Sequence, residues 1–302
     1  MLSIVLVILG VLLIPYEAFA WGAGIHLQLG SAVINNLQVI RPDIASLIAA
    51  YPHDFLYGCL AADITIGKKF THYLLHCHRW RIGLKVLDNA ELPPQKSCAY
   101  GYLAHLAADT IAHNYFVPYK VMSTFPTLTL KHAYWEMRFD HFVDRDVWEM
   151  GKKVSMENYR SNDALLRRVI SDTIFSFGTN KRIFNSILLV TRLEKWQQVL
   201  KTLDNSSRFA LEETDREEYM NLAQEAVFDI LTRMEDSVYF AADPTGERAL
   251  ATAEAVRKNL RLLYQSGKIS KEEAFEQVDE MKGKLREAVC DPGHLLQIMS
   301  GS

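Results

Sequence analysis

The chain has 302 residues, 49% hydrophobic and 23% charged, a balance that excludes intrinsic disorder as its main theme. A net charge of −3 and a pI near 6.4 provide no basic field for holding nucleic acid by its phosphates. Four cysteines, none in a C-x-x-C pair, are too few for a disulfide scaffold and lack the spacing of a cysteine zinc site. In chain order, residues 1–20 come first: apolar from Ile4 to Ile14, then Pro15, then Ala18-Phe19-Ala20. This pattern predicts a secretory signal with an A-x-A cleavage site, too short for the ~20 residues of a membrane span. Cleavage after Ala20 leaves Trp21 as the new first residue and the product secreted or periplasmic. An uncleaved anchor is the other reading, since no Lys or Arg precedes the apolar run.

Helical periodicity follows over 25–37, 80–89, 97–115, 130–149, 162–176, 182–202, 216–238, 248–266 and 271–289. The last of these opens on Ser270 and Glu273, the pattern of a capping box. Breaks are expected at Pro42, Pro52, Gly67, Pro93-Pro94, Pro118, Pro126, Gly178 and the run Asp243-Pro244-Thr245-Gly246. No alternating strand and no repeat is visible. The expected fold is all-α, a single multi-helix domain after the signal. Residues 21–150 carry the candidate chemistry, and 151–302 add further helices of the same domain.

Histidine is distributed unevenly: of ten, nine lie between His26 and His141. His105, Asp109 and His113 stand at i, i+4 and i+8, one face of a helix whose other residues are small and apolar. A carboxylate buried between two imidazoles must be paired or bound to a metal, and these side chains are the usual ligands of catalytic zinc. His132 and Glu136 repeat the four-residue spacing, with Asp140 and His141 as alternative or supporting groups. Asp63 interrupts an apolar run and is followed by His72, His76 and His78, of which one is expected to ligate. A free amino group and carbonyl at Trp21 would chelate a metal, with His26 as a third donor. The nearby aromatics Tyr102, Tyr115, Phe116, Tyr134, Trp135 and Phe139 are expected mostly in the core.

As an ordered set, these residues resemble the zinc-dependent phospholipase C family and, more broadly, the superfamily it forms with single-strand-specific nucleases. The resemblance covers residues 21–141. Trp21 and His26 match the family's start, with a W-G-x-x-x-H spacing closer to the nuclease branch. His105 and Asp109 match the H-x-x-x-D helix whose Asp bridges two metals. His113 matches the next ligand, which the best-known members place two residues later. His132 and Glu136 match the closing H-x-x-x-E pair of the phospholipase branch. Asp63 matches the upstream acidic ligand. His76 or His78 fits the position after it better than His72, and His78, just before Trp80 at a helix start, is favoured.

The resemblance implies three zinc ions in an all-α domain of the phospholipase C and nuclease type. It implies hydrolysis of a phosphate ester, with Asp63 as ligand, general base or both. The expected substrate is a phospholipid, cleaved to diacylglycerol and a phosphorylated headgroup, with peripheral membrane contact and no stable nucleic-acid partner; the apolar-rich helix at 182–200 is expected in core packing, with contact to a membrane as its other reading. A single-strand nuclease and a non-enzymatic exported metal-binding helical protein are the competing readings.

Overall fold

The computed structural model describes residues 21–65, 76–126, 135, 139–140, 142–170, 176–191, 211, 213–291 and 293–294, with backbone alone at 187–191. The signal expected over 1–20 lies outside the described residues, as do His72, His132, Tyr134, Glu136 and His141. The fold is all-α, and no strand occurs among the described residues.

The helices are α1 (Ala23–Asn35), α2 (Pro42–Ala50), α3 (Pro52–Ala61), α4 (Trp80–Asp88), α5 (Pro93–Ile111), α6 (Val117–Ser123), α7 (Arg145–Met156), α8 (Arg160–Val169), α9 (Phe177–Thr191), α10 (Glu213–Arg233), α11 (Glu247–Gln265) and α12 (Lys271–Ala288). Pro42 and Pro52 open helices instead of only ending structure. At the first helical position the missing N–H costs nothing and the fixed φ suits the helix. The capping box forms as read: Glu273 N donates to Ser270 Oγ at 3.0 Å and Ser270 N to Glu273 Oε2 at 2.7 Å.

The centre of the fold is α5, which is buried on all sides over Ser97–Ala99 and Gly101–Ile111. It packs against α3 on one flank and α10 on another, with α4 and α2 alongside. Two glycines let α3 and α5 touch backbone to backbone. A Cβ on Gly58 would lie 2.0 Å from Cys98 O, and one on Gly101 would lie 2.0 Å from Phe55 O. The later helices share this core, with α11 and α12 packed on α6.

Three expected helices have different bounds. The segment read as continuous over 130–149 turns at Phe142–Asp144 before α7 begins at Arg145. That turn brings both Val143 and Trp148 against Gly24 of α1. The helix read over 162–176 ends at Val169, and of the one read over 182–202 the described part is α9. The four cysteines are free thiols, three of them buried. Tyr102, Tyr115, Phe116, Trp135 and Phe139 are all core residues. Among the described residues no helix is long and apolar enough to cross a membrane.

Candidate metal centre

Five of the expected ligands converge. His26 sits in the first turns of α1, Asp63 in the 3-10 turn Ala62–Ile64 that ends α3, His78 just before α4, and His105 and Asp109 one turn apart on α5. Each is at most 2% exposed.

His78 Nε2 lies 3.0 Å from His105 Nε2, 3.1 Å from Asp63 Oδ1 and 3.2 Å from Asp109 Oδ2. His105 Nε2 lies 3.2 Å from Asp109 Oδ2 and 3.9 Å from Asp63 Oδ1. Donors at bond lengths of ~2.0–2.1 Å in a tetrahedron stand about 3.3 Å apart, so the His78, His105 and Asp109 atoms form three corners of a cage of the size zinc requires, with Asp63 Oδ1 against its His78 corner. The other oxygen of Asp109, Oδ1, lies 3.3 Å from His26 Nε2. The His26 ring stacks on His105 with centroids 3.7 Å apart.

Ring orientation is set from behind. His105 Nδ1 donates to Cys59 O at 2.8 Å, which selects the tautomer whose Nε2 lone pair faces the cage. On His78, Nδ1 lies 3.3 Å from Cys77 Sγ, and Tyr102 OH donates to Cys77 O at 2.6 Å, pinning that stretch to α5.

The electrostatics suit a cation. Burial, and then the neighbouring His105, lower the pKa of His26, favouring the neutral ring that ligation needs. Burial alone would raise the Asp109 carboxyl, but His105 and His26 outweigh it and hold it well below the usual carboxylate range. Among the described residues, both ring nitrogens of His26 and both oxygens of Asp109 are buried without a hydrogen-bond partner. Such atoms are costly unless something else satisfies them. Three imidazoles and two carboxylates fit zinc as a donor set.

The remaining candidates are placed differently. The side chain of Trp21 is fully buried: Nε1 donates to Ala108 O at 2.9 Å, and the ring stacks on Phe116 and meets Phe139 edge-on. His76 lies one step outside the cage: its Nδ1 accepts from His78 N at 3.2 Å, and it groups with Cys77 and His78. The structure therefore brings His78, of the pair left open by spacing, together with Asp63. His53 is exposed and pairs with Glu157. His132 and Glu136, as noted, fall outside the described residues.

His113 belongs to none of the converging donor groups among the described residues. The helix widens into a π turn over Ala112–Phe116, with Val117 N bonded to Ala112 O. Pro118, lacking an N–H and crowding the preceding turn, accounts for the widening. In a wider turn each residue advances less than the ~100° of an α-helix, which rotates His113 off the line of His105 and Asp109. His113 Nδ1 instead donates to Pro244 O at 2.5 Å, and Asn114 Nδ2 donates to Asp243 O at 2.7 Å. This 243–246 loop was legible only as a turn. Ala242, the residue just before it, accepts from Trp80 Nε1 at 2.8 Å.

Asp140, read from spacing as an alternative or supporting group, caps the start of α1. Its carboxylate accepts from Gly24 N at 3.3 Å and Ile25 N at 3.2 Å. Burial pushes its pKa up to about 7 against the opposing effect of those two bonds.

Residues 25–177 match the model of the zinc-dependent phospholipase C family. No curated protein and no solved structure matches the chain. The matched span covers half of the chain and contains His26, Asp63, His78, His105 and Asp109. The chain belongs to the zinc-dependent phospholipase C family.

Proposed function

We propose that the protein is an exported phospholipase C that hydrolyses phospholipid to diacylglycerol and a phosphorylated headgroup, using zinc held at three positions. The observation that carries this reading is the divided carboxylate of Asp109, with Oδ1 toward His26 and Oδ2 toward His78 and His105. Shared in this way, one side chain would serve two cation positions. The residues for the first position are His78, His105, Asp63 and Asp109. Asp109 and His26 begin a second, and Trp21, His113, His132 and Glu136 are the family-matched candidates to complete the set.

Bound zinc supplies Lewis acidity toward phosphoryl oxygens and makes water acidic enough to attack at neutral pH. The protein's own groups do the rest. Asp63, beside His78, would orient the attacking water and take its proton. The Cys59 carbonyl keeps the His105 imidazole in one tautomer throughout. The buried walls keep bulk water from competing for the donors.

The W-G-x-x-x-H start favours a second reading, a single-strand nuclease. The deciding experiment supplies zinc to the purified mature protein and compares hydrolysis of phosphatidylcholine vesicles with that of single-stranded DNA. Diacylglycerol release with DNA left intact supports the proposal, and the reverse result supports the nuclease. Stoichiometric zinc with neither activity would leave a non-enzymatic metal-binding protein.

A further inference from the structure

Helix α1 carries His26 but has no side-chain cap of its own, since its N-cap residue is Gly22. The start of the helix is buried at Trp21, Gly24 and Ile25, so its first N–H groups need acceptors from within the protein. Ile25 N has one in Gly22 O at 3.1 Å, and Asp140 adds two from 116 residues away, one oxygen to Gly24 N and the other to Ile25 N. The fit leaves no slack. A Cβ on Gly22 would lie 2.0 Å from Asp140 Oδ2, and the adjacent Phe139 ring packs on Trp21 with centroids 4.5 Å apart. Phe139 and Asp140 thus grip the start of α1 on both sides. Ile25, held by the carboxylate, is the residue immediately before His26.

We propose that Asp140 is a positioning residue for the metal centre: by clamping the backbone at Gly24 and Ile25 it sets where the His26 imidazole stands relative to Asp109. A carboxylate at a helix N-terminus is favourable in itself, and here it also fixes the axial position of the helix. The inference rests on the zinc reading of the site.

The test uses the zinc-loaded mature protein and three variants, Asp140→Ala, Asp140→Asn and Gly22→Ala. Zinc retained per chain is measured against a graded chelator. Thermal unfolding is recorded with and without zinc, and the visible spectrum is taken after cobalt substitution. Residues that orient metal ligands typically contribute ~10–100-fold to affinity. Asp140→Ala is therefore expected to release part of its zinc at roughly 10-fold lower chelator strength or less, with an altered cobalt spectrum. Asp140→Asn, whose amide oxygen can still accept one bond, should fall between it and wild type. Gly22→Ala, which attacks the same contact from the other side, should reproduce the Asp140→Ala behaviour and carries the test if Asp140→Ala does not fold. Variants that unfold earlier by the same amount with and without zinc, and that keep wild-type zinc affinity and cobalt spectrum, would reduce Asp140 to a plain helix cap and overturn the proposal. A wild-type protein that takes up no zinc would overturn the functional reading together with this one, so the two failures are distinguishable.

Discussion

His26 Nε2 stands 3.3 Å from Asp109 Oδ1, on the opposite oxygen from the one that lies 3.2 Å from both His78 and His105. Two helices that pack against each other thus approach a single carboxylate, α5 from within and α1 from across. A fully buried carboxylate flanked by three imidazoles is a donor set that a cation would complete.

Asp109→Asn keeps the shape of the side chain, removes its charge and converts one of two acceptor oxygens into an amide donor. The wild-type protein is expected to hold zinc, three ions per chain by family resemblance, and the variant to lose more than one. Hydrolysis should drop by at least the ~10–100-fold seen for residues one shell further out. Metal analysis of both proteins checks this, and a variant with its full complement of zinc would show that Asp109 is not shared.

Stripping the metal should destabilise the fold. A ligand at a thousandfold excess over its dissociation constant contributes about 4 kcal/mol. For a chain of this size that corresponds to roughly 10 °C in melting temperature. Calorimetry before and after chelation measures the shift, and identical curves would argue against zinc at this site.

The contact between α3 and α5 tolerates no side chain at Gly58 or Gly101, because the obstructing atoms are backbone carbonyls that cannot rotate away. Gly58→Ala and Gly101→Ala should each cost about 1–3 kcal/mol or more. Because α3 leads to Asp63 and α5 carries His105, zinc affinity should fall as well. Denaturant unfolding and zinc titration report the two effects separately.

Gly246 has φ +56°, and a Cβ there would lie 2.4 Å from His113 Cβ and from His113 O. Gly246→Ala combines left-handed strain of ~1–2 kcal/mol with that overlap. The variant should melt earlier and loosen the 243–246 loop from His113. Hydrogen exchange at the amides of 113–116 and 245–246 should rise relative to wild type, and unchanged protection would mean that the loop does not hold the π turn.

Asp215 accepts from Lys120 at 2.7 Å and Lys282 at 2.8 Å, joining α6, α10 and α12. Burial works to raise its pKa, but the two ammonium groups outweigh burial and hold it below the ordinary value. A depressed carboxyl stabilises the fold above the unfolded pKa and loses that contribution as pH falls through the folded one. The metal-free protein should therefore lose stability below about pH 4, near the ordinary Asp pKa. Asp215→Asn should lower neutral-pH stability by on the order of 1 kcal/mol and flatten the acid limb, read from unfolding midpoints across pH.

The sequence by itself determined the all-α class and the donor types, because helical periodicity and the i, i+4 spacing of His105 and Asp109 are local properties. Local capping chemistry at Ser270 and Glu273 was legible for the same reason. Spacing alone left His76 and His78 open beside Asp63, and the resemblance with the place before Trp80 favoured His78, which the structure puts 3.1 Å from Asp63. The two differ by two positions in a short non-helical stretch, and their separation is decided by how Cys77 is pinned to Tyr102. The placement of His113 was hidden too, since spacing assumes an α-helix and Pro118 imposes a π turn. The Asp140 clamp and the 243–246 loop join residues more than a hundred positions apart. Only the tertiary structure decided these contacts, because they arise where buried N–H and C=O groups find partners that no local pattern encodes.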